Sequence, residues 1–120
     1  MKNKTLILGA SENPERYSNL AVKKLLSTGH EVLAVGKKEG IINNTTIHKG
    51  QVQADDIDTV TLYLNANNQK SYYDYIFSLN PRRIIFNPGA ENDELERLAT
   101  QKGINTMEAC TLVMLSTGQY

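Results

Sequence analysis

Leu6-Ile7-Leu8-Gly9-Ala10-Ser11-Glu12-Asn13-Pro14-Glu15-Arg16-Tyr17-Ser18-Asn19 is the stretch whose reading decides the fold. Its continuously apolar start reads as a buried strand, residues 5–8, because a strand with one wet face would alternate. The strand empties into small residues and then an amphipathic helix, residues 18–28. There Ala21, Val22, Leu25 and Leu26 recur at helical spacing, with Lys23 and Lys24 on the other side. Ser18 is the expected N-cap and Gly29 the expected stop. A strand that turns through small residues into a helix N-terminus is a ready anion site. The loop and first-turn N–H groups lack internal partners, and the helix dipole favours negative charge.

The same alternation continues outward. Residues 31–35 read as a second strand ending at Gly36. Residues 37–56 carry turn markers at Gly40, Asn43-Asn44 and Gly50, with Ile41-Ile42 and Ile47 as short extended pieces. Residues 59–64 are rich in β-formers and predict a central strand. Residues 68–79 place Tyr72, Tyr75, Ile76 and Leu79 at helical spacing, and Pro81 ends that unit. Residues 83–86 form the next strand. Asn87-Pro88-Gly89-Ala90 turns into a helix of Leu95, Leu98 and Ala99, stopped by Gly103, and residues 104–107 make the last strand. The run at 112–115 is too short to assign by period. This order predicts one α/β domain over residues 1–120, doubly wound, with helices on both faces and right-handed crossovers. The sheet is expected to be mainly parallel, with five strands or slightly more. A ligand would lie beyond the carboxyl ends of the strands, where loops 9–19, 36–40, 65–68, 87–92 and segment 108–110 meet.

Composition excludes several classes. With 40% hydrophobic and 22% charged residues the chain is neither disordered nor unusual. A net charge of zero argues against a nucleic-acid surface or a polybasic membrane surface. No apolar run approaches the roughly 18 residues of a membrane span. Met1-Lys2-Asn3-Lys4-Thr5 precedes only three large apolar residues, so no secretory signal is expected. The single cysteine, Cys110, permits no internal disulfide and suits a reducing compartment; a cytoplasmic protein is the expectation. His30 and His48 lack metal-ligand spacing, so no metal site is expected. No nucleophile stands beside a base in a recognisable spacing, and no catalytic residue is assigned.

The opening loop is not Gly-x-Gly-x-x-Gly, since the glycine after Gly9 is Gly29, and no Gly-Lys-Ser/Thr makes it a P-loop. It offers the Ser11 hydroxyl, the Asn13 amide, a rigid Pro14, the Arg16 guanidinium and the Ser18 hydroxyl. All but Pro14 can donate to phosphate oxygens, Arg16 bidentately. The plainer alternative is a turn at Gly9 with Glu15 and Arg16 as solvated charges. Tyr17, inside the loop, could pack against a ligand or cover it. The second strand ends in Val35-Gly36-Lys37-Lys38, where an NAD site would place an acid. Two lysines suit a ligand with a further phosphate, such as NADP or coenzyme A, or else form a solvated pair. Asn65 could approach the ligand or cap the following helix, and Gly89 could bring backbone near the ligand or only turn the chain.

Residues 9–19 resemble the signature loop of the small bacterial CoA-binding proteins. These are stand-alone Rossmann-type domains similar to the nucleotide-binding domain of the succinyl-CoA synthetase α subunit. The likeness takes in Gly29-His30-Glu31-Val32, Asn87-Pro88-Gly89-Ala90 and Glu108-Ala109-Cys110-Thr111-Leu112-Val113-Met114-Leu115. It implies a Rossmann-type fold and coenzyme A or an acyl-CoA as ligand. The backbone of Gly9, Ala10 and Ser11, with Arg16 and Ser18, would line the diphosphate, and Lys37 or Lys38 would sit near the adenosine-side phosphates. The resemblance departs at Gly36-Lys37, where many relatives have Asn-Pro, and this chain has no counterpart of the synthetase phosphohistidine. Three roles are consistent with it. The first is a non-catalytic carrier, sensor or protector of the cofactor. The second, an NADP-dependent reductase, is disfavoured by small size and the lack of Tyr-x-x-x-Lys spacing. The third is the nucleotide-binding subunit of a two-chain CoA ligase, which needs a protein partner. A homo-oligomer is left open. Cys110 could meet a CoA thiol as a mixed disulfide or be a small core residue.

Overall fold

The computed structural model describes residues 4–120; Met1-Lys2-Asn3, which begin the expected domain and the segment expected not to be a signal, lie outside the described residues. In chain order the elements are β1 (Lys4–Leu8), α1 (Tyr17–Ser27), β2 (Glu31–Val35), β3 (Gly40–Ile42), β4 (Thr45–His48) and β5 (Ile57–Leu62). Then come α2 (Ala66–Gln69), a 3-10 turn (Lys70–Tyr72), α3 (Tyr73–Ser78), β6 (Arg83–Phe86), α4 (Asp93–Gln101), β7 (Asn105–Glu108) and α5 (Thr111–Ser116). The strands form one sheet in the order β3-β4-β2-β1-β5-β6-β7. All pairs are parallel except β3 with β4.

The continuously apolar β1 lies at the middle of this sheet, with Leu6 opposite Leu33 on one side and Val60 on the other. Leu6 and Leu8 face a cluster that includes Tyr75, Ile76 and Leu79 from the α3 side and Leu95 and Ala99 of α4. Ile7 faces the opposite cluster, with Ala21, Val22 and Leu25 of α1 and, at its margin, Leu112 and Leu115 of α5. Helices therefore cover both faces, as expected of a doubly wound sheet. Each fully buried aliphatic side chain contributes about 1.5–3 kcal/mol.

The sheet has seven strands rather than five. The two extra ones, β3 and β4, come from the stretch 37–56 that has no clear period. They form a hairpin whose two turn residues, Asn43 and Asn44, both take positive φ (46° and 69°), the geometry a two-residue loop needs to follow the strand twist. Other boundaries also shift. The central strand β5 starts at Ile57 and ends at Leu62, leaving Tyr63 and Leu64 beyond it. The expected helix at 68–79 is broken by the 3-10 turn and begins earlier, at Ala66. The last strand is one residue later than expected, and the run at 112–115 is helical. Helix α1 starts at Tyr17 with Arg16 in the capping position; Ser18 is not the cap but lies buried in the first turn. Gly29, at φ +86°, ends α1 as expected, with bonds from Gly29 N–H to Leu26 and from His30 N–H to Leu25.

Candidate functional site

The chain runs from β1 outward to β2 and β4, then returns to β5 and proceeds the other way to β6 and β7. The loops after β1 and β5 therefore diverge, and a cleft of about 710 Å³ opens between them. The loop after β1 contributes Gly9, Ala10, Ser11, Asn13, Arg16, Tyr17 and Ser18. The end of β2 adds Lys37 and Lys38, and Asn65 and Gly89 close the far side. The structure thus gathers every candidate binding residue except Pro14, which lies outside the lining. Its volume is in the range of small-molecule sites.

The loop works differently from the simple picture of free backbone amides. Gly9 N–H (2.8 Å) and Ala10 N–H (3.0 Å) both donate to the Val35 carbonyl. These two amides fasten the loop to the end of β2 and are not available to a phosphate. The fastening depends on Gly36: a Cβ there would lie 2.2 Å from the Ala10 oxygen. The loop then folds on itself, with Ser11 Oγ accepting from Asn13 N–H (3.1 Å) and Asn13 Oδ1 from Glu15 N–H (3.0 Å). Asn19 Nδ2 donates to the Ser11 carbonyl (2.9 Å) and ties the loop to α1. Among the described residues, the amides of Ser11, Glu12, Tyr17 and Ser18 find no acceptor. They are the unpaired donors at the positive end of α1. Arg16 is exposed beside them and makes no ion pair among the described residues.

Several lining residues carry no signal in the sequence. Glu12 lines the cleft and reaches the edge strand β3, its Oε2 accepting from Ile41 N–H at 2.9 Å. A Cβ at Gly40 would lie 2.4–2.7 Å from the Glu12 side chain, so glycine permits that approach. The partners are far apart in sequence, and neither periodicity nor spacing reveals them. Tyr63, just past β5, lines the cleft; its hydroxyl is buried and, among the described residues, has no hydrogen-bond partner, and burial pushes its pKa up to about 12. Asn65 does cap the next helix, Oδ1 accepting from Asn68 N–H at 3.0 Å, while also facing the cleft. Gly89 takes φ +92° and donates its N–H to Glu91 Oε1 (2.9 Å).

Asn87, wholly buried, braces the cleft from beneath. Its Nδ2 donates to Thr61 Oγ1 (2.6 Å) and the Leu62 carbonyl (2.9 Å), and its Oδ1 accepts from Thr111 N–H (2.9 Å). One amide thereby joins the ends of β5 and β6 to the start of α5. Cys110 stands immediately before α5, half-buried, and does not line the cleft. His48 ends β4, and His30 pairs with Thr28 Oγ1 (3.0 Å) just before β2, at the opposite ends of the strands. Among the described residues, no cluster of three or more His, Cys, Asp or Glu could hold a metal, and no helix is long and apolar enough to cross a membrane.

Comparison with known proteins agrees with this geometry. A solved crystal structure of an uncharacterized protein is 49% identical, with a TM-score of 0.96, covering 100% of this chain and 99% of that one. A conserved hypothetical protein from Pyrococcus furiosus is 25% identical with a TM-score of 0.79, covering 92% and 97%. A hypothetical protein from Pyrococcus horikoshii OT3, at 22% identity and a TM-score of 0.87 over 97% and 83%, shares the fold. No curated protein matches the chain significantly. The family model described as "CoA binding domain" matches residues 3–116, and the chain belongs to that family.

Proposed function

We propose that the protein binds coenzyme A or an acyl-CoA in the cleft between the β1 and β5 loops and holds it without transforming it, as a carrier, sensor or protector. The observation that carries this reading is the set of unpaired amides at Ser11, Glu12, Tyr17 and Ser18, next to Arg16, inside a domain of the CoA-binding family. A diphosphate is the ligand group that such donors suit. Ser11 and Ser18 add hydroxyls, and Lys37 and Lys38 lie on the side toward β2, where the adenosine-side phosphates would be met. Asn65 and Gly89 face the pantetheine side, and Tyr17, 71% exposed, is free to fold over the ligand.

Among the described residues the cleft lining includes no histidine or cysteine; its two carboxylates are Glu12, engaged by Ile41, and Glu39. Binding is therefore the role the lining supports, in a single domain acting in the cytoplasm on a nucleotide ligand rather than on nucleic acid or a membrane. Calorimetric titration with coenzyme A, dephospho-CoA, NADP and NAD tests the reading. Coenzyme A should bind at least as tightly as NADP and more tightly than NAD. The reading fails if NADP binds better. Arg16→Ala should weaken every phosphate ligand by about 1.5–3 kcal/mol, the value of a hydrogen bond to a charged group.

A further inference from the structure

Gln69, the last residue of α2, is polar and yet fully buried. Its amide joins two loops. Nε2 donates to the Leu64 carbonyl (2.7 Å), in the loop after β5, and to the Ala90 carbonyl (2.8 Å), in the loop after β6. Oε1 accepts from Asn92 Nδ2 at 2.8 Å. Leu64 and Ala90 line the cleft, as do their neighbours Asn65 and Gly89, whereas Gln69 does not. The glutamine therefore stands behind that wall and ties together the two loops that form it.

The orientation of this amide is dictated by its neighbours. Asn92 caps α4, its Oδ1 accepting from Leu95 N–H at 3.1 Å, so its Nδ2 is the end that meets Gln69. A donor there requires Oε1 of Gln69, which turns Nε2 toward two carbonyls, groups that can only accept. The second hydrogen of Asn92 Nδ2 goes to the Tyr73 hydroxyl at 2.8 Å, and that hydroxyl donates to Glu94 Oε1 at 3.0 Å. Every side-chain hydrogen from Gln69 to Tyr73 in this chain of bonds finds an acceptor. A buried network satisfied in one sense only holds one geometry, and a partly satisfied one is costly.

We propose that Gln69 is a positioning residue for the ligand: it fixes the separation of the loops at 64–65 and 88–90, and with it the grip on the pantetheine arm. The inference rests on the coenzyme A reading of the cleft, in which Asn65 and Gly89 face pantetheine. The donors assigned to the phosphates, Arg16, Ser18 and Lys37, belong to other elements that Gln69 does not touch. Loosening the wall should therefore reach one part of the ligand and spare the rest.

The test is calorimetric titration of the full chain, Gln69→Met and Tyr73→Phe with two ligands. One is coenzyme A, and the other is 3′-phosphoadenosine 5′-diphosphate, which keeps its phosphates and lacks pantetheine. Methionine fills the space of glutamine without its donors or acceptor. Gln69→Met should weaken coenzyme A about tenfold or more and leave the truncated nucleotide within about twofold. Tyr73→Phe keeps the ring and removes only the outer acceptor of Asn92, so it should weaken coenzyme A about two- to fivefold and leave the nucleotide unchanged. A glutamine needed only for folding would weaken both ligands alike. Equal losses, or no loss of coenzyme A affinity, overturn the positioning role while the coenzyme A reading stands. Should Gln69→Met fail to fold, Tyr73→Phe decides by the same comparison. Failure of the unmodified protein to bind coenzyme A overturns that reading and the inference with it.

Discussion

Replacing Gly36 by alanine tests whether the binding loop is built as described. The added Cβ would lie 2.2 Å from the Ala10 carbonyl oxygen, where a carbon–oxygen contact needs about 3.3 Å. Backbone must therefore move by about 1 Å. The obstacle is a main-chain atom, not the end of a flexible side chain. The same movement stretches the bonds that Gly9 and Ala10 donate to Val35. Two weakened hydrogen bonds at about 0.5–1.5 kcal/mol each, with overpacking of about 1–3 kcal/mol, give a loss of about 2–6 kcal/mol. With a urea dependence of about 2 kcal/mol per molar, the unfolding midpoint should fall by about 1–3 M. The displaced loop carries Ser11 and its neighbours, so coenzyme A affinity should fall about tenfold or more in the fraction that remains folded. Gly50→Ala is the control, since nothing lies within 4 Å of a Cβ there; it should be neutral or slightly stabilising. A Gly36→Ala protein that unfolds with the Gly50→Ala control and binds normally would refute the account of the loop.

Asn87→Ala should cost about 2–4 kcal/mol in urea unfolding, because it removes three buried bonds and strands the Thr111 amide; a loss below about 1 kcal/mol would contradict the bracing role. Tyr63→Phe should leave stability unchanged or raised, since the hydroxyl it removes has no partner among the described residues, and should leave one tyrosine, Tyr75, in place of two titrating near 12 in alkaline absorbance. Because burial holds the folded hydroxyl above its unfolded value of about 10, native stability should decline between about pH 10 and 12, and less so in Tyr63→Phe. Asp58 is held below the ordinary carboxylate range, chiefly by the hydrogen bonds from Arg82 at 2.8 and 2.9 Å. Its contribution is complete above the unfolded value of about 4 and lost as pH falls through the lower folded value. Asp58→Asn should therefore be less stable than the parent at pH 7, with the two curves converging in acid.

The parts of the fold that were legible are those specified by neighbours in sequence. Leu6-Ile7-Leu8 announces a strand buried on both faces, and Gly29 ends α1 through its own backbone freedom. The parts that were not legible depend on distant partners. Strands β3 and β4 are three and four residues long, too short for period to declare, although Asn43-Asn44 marked their turn. The 3-10 break at Lys70–Tyr72 leaves no trace in the apolar spacing of Tyr72, Tyr75 and Ile76, which is that of an unbroken helix. The loop at Gly9 was recognisable as an anion site, but the diversion of the Gly9 and Ala10 amides to Val35 depends on a strand some 25 residues away. Arg83 gives the same lesson at the other edge of the sheet. A charged residue opening a strand is buried because Thr59 and the Tyr120 carbonyl accept its bonds and the Tyr120 ring lies 4.6 Å away.

The bond from Ile41 N–H to Glu12 has a meaning beyond the cleft. Strand β3 is one of the two edge strands, and Ile41, 62% exposed, is both apolar and at the rim. An open rim with free N–H groups is a template on which another chain can add a strand. By occupying that amide, Glu12 makes the loop after β1 the guard of this edge of the sheet against self-association. Damage to the loop would then reach beyond lost affinity: a protein that can no longer grip its ligand would also tend to come out of solution.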